Sequence, residues 1–172
     1  MSGAGVVSKP SITSPNGLEQ ITATFGDFQK YVQRDGTLDP SWQTQFLSSV
    51  ALPFPLMLSF DHTKTITHFS CHKLLCGIFA DVFAQIVSAG LQAKVTSFGG
   101  CFAFRPQRTG KKLSTHCWGI AIDLNSEANQ QGSAGDMDAG VVELFRDAGF
   151  EWGGDWVGAR RDAMHFQFCT GY

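Results

Sequence analysis

The stretch CHKLLCGIFADVFAQIVSAG, residues 71 to 90, restricts the fold more than any other part of the chain. Leu75, Ile78, Phe79, Val82, Phe83 and Ile86 recur at three- and four-residue spacing, which places them on one face of a helix that Gly90 closes. A face that apolar has to be covered, so the segment is a core element. Met137, Val141, Leu144, Phe145 and Ala148 predict a second amphipathic helix over 136–149, capped by Asp136 and stopped at Gly149. From Asn16, an expected N-cap, Leu18, Ile21 and Phe25 predict a short helix that ends at Gly26.

Between and after these helices lie strand patterns. AKVTSF and CFAFR read as strands broken at Gly99 and Gly100 by a hairpin or bulge, GIAIDLN as a further strand, and MHFQF as a last one. In MHFQF, Met164, Phe166 and Phe168 alternate with His165 and Gln167, so the two sets face opposite ways. LPFPLMLSF is apolar, but Pro53 and Pro55 confine it to an edge strand or an extended strap. The order of elements gives an α+β fold: a small antiparallel sheet, with the 70–90 and 136–149 helices packed on one face and any site on the other.

With 172 residues, 43% of them hydrophobic, the chain is expected to form one domain over 17–172 behind a flexible tail at 1–16 rich in Ser, Gly and Pro. The net charge of −2 without like-charge blocks speaks against nucleic acid or an anionic membrane as partner. The longest apolar runs are too short for the ~20 residues that span a bilayer, so no membrane insertion is expected. The start, MSGAGVVSKPSITSPNG, has no basic region followed by an apolar core and does not read as a secretory signal. Five cysteines form no CxxC unit and read as buried free thiols, which fits synthesis in a reducing compartment.

STHCWGIAID, residues 114 to 123, sets His116 and Asp123 seven positions apart. A flat strand would hold them about 23 Å apart at ~3.3 Å per residue, on opposite faces. A bend between Cys117 and Gly119 would fold His116 back over the strand that carries Asp123. Catalytic zinc takes three ligands from His, Asp, Glu and Cys and keeps one position open, and His165, on the polar face of the last strand, is a candidate third. Asp162, three residues earlier, is a candidate proton acceptor beside such a site. His62, His68 and His72 read as surface or helix-start residues, and Cys117 as pointing away from the ligand face.

Taken together, SxHxxGxAxD at Ser114, His116, Gly119, Ala121 and Asp123, WGGDW at 152–156 and DxxHF at 162–166 resemble the zinc D-alanyl-D-alanine carboxypeptidases and L-alanyl-D-glutamate endopeptidases of bacterial cell-wall peptides, phage endolysins among them. Weaker similarity runs through CFAFRPQRTGKKL, SCHKLL and NGLEQITATFGD. The resemblance implies Zn²⁺ held by His116, Asp123 and His165, Asp162 as general base and then acid, and Arg105, or failing it Arg108, at the oxyanion. It implies that Ser114 orients the ligand loop or touches substrate. Trp152 is expected to pack the turn, while Trp156 is open to a substrate role.

The function implied is peptidoglycan stem-peptide hydrolysis, with three readings open. These are an L-alanyl-D-glutamate endopeptidase of endolysin type, a D-alanyl-D-alanine carboxypeptidase or dipeptidase, and an inactive zinc-bearing binding module. A monomer made in the cytoplasm without a signal peptide, acting on the cell wall in phage lysis of a host, is the expected setting.

Overall fold

Pro53 and Pro55 cannot donate to a strand ladder, and the chain places both where the ladder is interrupted. In the computed structural model, which describes residues 12–105 and 112–172, β1 (Leu47–Leu58) pairs antiparallel with β2 (Asp61–His72), and the register shifts between Ala51 and Leu56. Past the prolines, β1 also pairs with β3 (Ser97–Gly100) through Met57↔Ser97 and Leu58↔Phe98. The proline segment is therefore an interior strand, not the expected edge strand or strap. An interruption in the register accommodates proline as well as an edge does.

β4 (Ala121–Leu124), β5 (Glu151–Trp152) and β6 (His165–Gln167) complete a six-stranded sheet of order β2-β1-β3-β4-β6-β5. The fold is α+β as expected, but the sheet is mixed. The β1–β3 pair is parallel because the chain between them crosses over through β2 and a helix.

That helix is α3 (Cys76–Ser88), and its buried face is Ile78, Phe79, Val82, Phe83 and Ile86. It starts later than the sequence pattern suggests, because residues 61–72 are strand and Lys73–Leu75 a 3₁₀ turn. β2 escapes a periodicity reading because most of it is exposed, with Phe69, Cys71 and His72 buried only near its end.

α1 (Gly17–Phe25) follows Asn16, although Leu18, counted on its apolar face, is 50% exposed. Residues 12–16 lie against the opposite end of the chain, where Pro15 O accepts from Thr170 N–H and Thr170 O from Gly17 N–H. α2 (Pro40–Phe46) has no counterpart in the apolar pattern, yet Asp39 caps it by accepting from Ser41 N–H and Pro40 stands in its first turn. α4 (Ala139–Asp147) is capped by Asp138, which accepts from Gly140 and Val141 N–H. Asp136, the expected cap, instead accepts from the Asn129 side chain.

Phe166 of β6 stacks on Phe145 of α4 at 4.3 Å between ring centroids, and Phe145 meets Phe83 of α3. Rings this large provide much of the burial that holds helices to a sheet. His165 and Gln167, which flank Phe166 in β6, point away from this core as the alternation requires.

Candidate metal centre

The bend that brings His116 over β4 is built from short-range chemistry. Ser114 Oγ accepts the His116 N–H at 3.3 Å and starts a 3₁₀ turn, Thr115–Trp118, which closes on Gly119 at φ 67°. A left-handed residue is easiest as glycine, and here a Cβ would also lie 2.9 Å from the His72 nitrogen. The segment CFAFR, expected as a strand, instead runs beside this turn. Ala103 N–H donates to His116 O, and the Arg105 backbone exchanges hydrogen bonds with the Cys117 thiol at 3.0 and 3.2 Å. Cys117 thus points away from the ligand face.

Asp123 arrives from the other direction. It is the register partner of His165 across β4 and β6, and Ile122 pairs with Phe166 on the core side. Glycine at 99 leaves room for Asp123, whose Cβ would lie 2.9 Å from a Cβ placed there.

His116, Asp123 and His165 come together with one ligand atom from each within 4.8 Å of the others. Asp123 Oδ1 lies 3.2 Å from His116 Nε2 and 2.9 Å from His165 Nδ1. The outer nitrogen of each ring is already engaged. His116 Nδ1 lies 2.8 Å from Cys101 O, a carbonyl that can only accept, so the proton is on that nitrogen. His165 Nε2 faces Gln167 Oε1 at 3.1 Å and Thr115 Oγ1 at 3.3 Å. Gln167 Oε1 also accepts from Thr115, and its amide donates to Glu151, so the His165 proton belongs on Nε2.

In its neutral form each ring then aims a lone pair at a carboxylate oxygen. Three donor atoms that converge on one point could hold a metal ion, and two imidazole nitrogens with one carboxylate oxygen match a donor set of zinc. No thiol belongs to the group among the described residues.

The electrostatics agree with the geometry. Burial by itself would raise the Asp123 carboxyl, but the two imidazoles, which carry charge and donate toward it when protonated, reverse this and hold it well below the usual carboxylate range. Burial would lower His165, yet the Asp123 carboxylate, with help from Asp162 and Gln167, leaves it raised.

The pocket over this group is lined by Asp162, Arg105, Ser114 and Trp156 as well as by the three convergent residues. Asp162 is held at its backbone, where its N–H donates to Gly153 O and its O accepts from His165 N–H. Trp156 Nε1 donates to Glu151, and its ring stands 5.5 Å from that of His165. Trp152 packs, donating to Ala163 O and stacking on Phe166. Arg108 lies outside the described residues. Of the other histidines, His62 meets Glu127 at 2.7 Å and His68 is exposed. His72 is buried at the start of the Lys73–Leu75 turn, which it caps.

Sequence reasoning missed a second layer. Thr115, Gln167 and Glu151 back His165, and Glu151 ties this chain to Trp156. Gln131, Arg160 and Tyr172 also line the pocket. The position of Gln167 on the His165 face of an alternating strand was the available signal; nothing in the sequence marked Glu151.

No curated protein matches the chain, and no helix of the described residues is long and apolar enough to cross a membrane. Residues 107–168 match a family model described as D-alanyl-D-alanine carboxypeptidase, and this stretch holds His116, Asp123, Asp162 and His165. The chain is thus similar over these residues to the D-alanyl-D-alanine carboxypeptidase family, and the match falls on the residues that converge into a group able to hold a metal ion.

Proposed function

We propose that the protein is a zinc metallopeptidase that cuts peptidoglycan stem peptides, as an L-alanyl-D-glutamate endopeptidase of the endolysin type. The observation that carries this reading is the meeting of His116 Nε2, Asp123 Oδ1 and His165 Nδ1 at one point beneath a pocket that also holds Asp162. Zinc bound by these three would supply a Lewis acid for the scissile carbonyl and acidify water toward a pKa of about 7.

The chain's own groups carry the rest. Asp162 takes a proton from the attacking water and returns it to the departing amine, a role typically worth about 10² to 10⁴ in rate. Arg105 stabilises the oxyanion as the carbonyl carbon becomes tetrahedral. Ser114 orients the turn that carries His116, and Trp156 forms a wall for substrate. The protein acts as a monomer on the cell wall during phage lysis of a host.

Digestion of purified peptidoglycan, followed by analysis of the released termini, tests the proposal. New amino termini on D-glutamate without free D-alanine are expected. Release of free D-alanine would make the protein a carboxypeptidase, and no product at all would make it a binding module.

A further inference from the structure

Two thiols away from the metal centre meet at the seam between β2 and α3. Cys71 is the penultimate residue of β2 and fully buried, whereas Cys76 is the first residue of α3 and half-buried. His72 and the Lys73–Leu75 turn double the chain back between them, which leaves the two Sγ atoms 3.5 Å apart. Both thiols are directed at the same carbonyl, His72 O, at 3.4 and 3.8 Å. The other three cysteines are engaged elsewhere or enclosed. Cys101 points at Gly119 O, Cys117 bonds the Arg105 backbone, and Cys169 is buried.

A disulfide has sulfurs about 2.05 Å apart, so closure needs an approach of roughly 1.5 Å. The two residues also differ in burial, because Cys76 keeps partial exposure at the edge of the core and Cys71 has none. Burial pushes the Cys71 thiol far above its ordinary range, so Cys71 is not the group that starts a reaction.

We propose that Cys71 and Cys76 form a thiol–disulfide site, in which Cys76 attacks a small disulfide such as oxidised glutathione and Cys71 closes the bridge. In the first step Cys76 loses its proton, its sulfur bonds to one sulfur of the small disulfide, and one thiolate leaves. In the second, Cys71 gives up its proton and bonds to the Cys76 sulfur, which expels the second small thiol. The protein dithiol loses two electrons and two protons, and the small disulfide becomes two thiols. This proposal stands apart from the peptidase reading. It does place the bridge next to His72, whose N–H holds Gly119 O at 2.8 Å behind the His116 turn.

The test is to treat the folded protein with oxidised glutathione, block free thiols by alkylation, and digest with trypsin without reduction. Cleavage after Lys64, Lys73 and Lys94 separates Cys71 in peptide 65–73 from Cys76 in peptide 74–94. The expected product is these two peptides joined, lighter than their sum by two hydrogens. Cys71→Ala should leave a glutathione adduct trapped on peptide 74–94, and Cys76→Ser should carry neither adduct nor link. The wild-type digest stands alone if a variant does not fold. Unlinked peptides in that digest, or Cys71 joined to Cys101 instead, would overturn the proposal.

Discussion

His72 and the pair His116 and His165 are all buried histidines, but their surroundings differ in one respect. The His72 ring has both nitrogens committed to backbone, with Nε2 3.1 Å from Phe25 O and Nδ1 accepting from Leu74 N–H. That is the full capacity of a neutral imidazole, and no valence is left for anything else. His116 and His165 each commit one nitrogen and aim the other at Asp123. Burial therefore does not separate a structural histidine from a candidate ligand. The distinguishing feature is an uncommitted lone pair that faces others of its kind.

The comparison breaks most directly by deletion. His165→Ala is expected to abolish stoichiometric zinc by atomic absorption, whereas His72→Gln should keep it. Zinc retained in the first variant or lost from a folded second one would show that the contrast is misread. Asp162→Asn should hold zinc and lose about 10² to 10⁴ in turnover, as expected for a proton carrier outside the ligand set. If it loses as much zinc as His165→Ala does, Asp162 is a ligand.

A smaller effect tests the His72 side. Burial pushes its pKa from 6.5 to about 4, and protonation would put a second N–H against that of Leu74. Between those values the unfolded chain binds more protons than the folded one. The contribution to stability is therefore complete above pH 6.5 and is lost as pH falls toward 4. Urea midpoints for wild type should fall by the equivalent of about 2 kcal/mol between pH 7 and 4.5, and those of His72→Gln by clearly less. Equal slopes would remove His72 as the cause.

The finest test addresses the second layer. Gln167→Leu removes the acceptor that keeps the His165 proton on Nε2, and zinc affinity, measured by chelator competition, should weaken about 10- to 100-fold. Gln167→Glu, which restores an acceptor, should recover most of it. Equal loss in both would make Gln167 a packing residue.

Much of this site was readable from types and spacing. The turn needed near Gly119 and the opposed faces of His165 and Phe166 follow from local rules of backbone and alternation, whereas Cys117, expected to point away on the basis of an extended segment, does so from within a 3₁₀ turn. The missed parts depend on tertiary contact. β2 carries little apolar pattern because it is exposed along most of its length, and α2 announces itself only through Asp39 and Pro40. Pro53 and Pro55 suggested an edge because sequence cannot reveal a register shift within a strand. Glu151 reaches the site only through the fold, by way of Gln167 and Trp156.

Asp123 and His165 face each other across β4 and β6, two strands with neighbours on either side. Their separation is therefore set by the ladder and not by a pliable loop, and widening it means parting the middle of the sheet. Amides in 121–124 and 165–167 should accordingly be among the slowest to exchange with deuterium, and the dwell time of a captured ion should follow theirs.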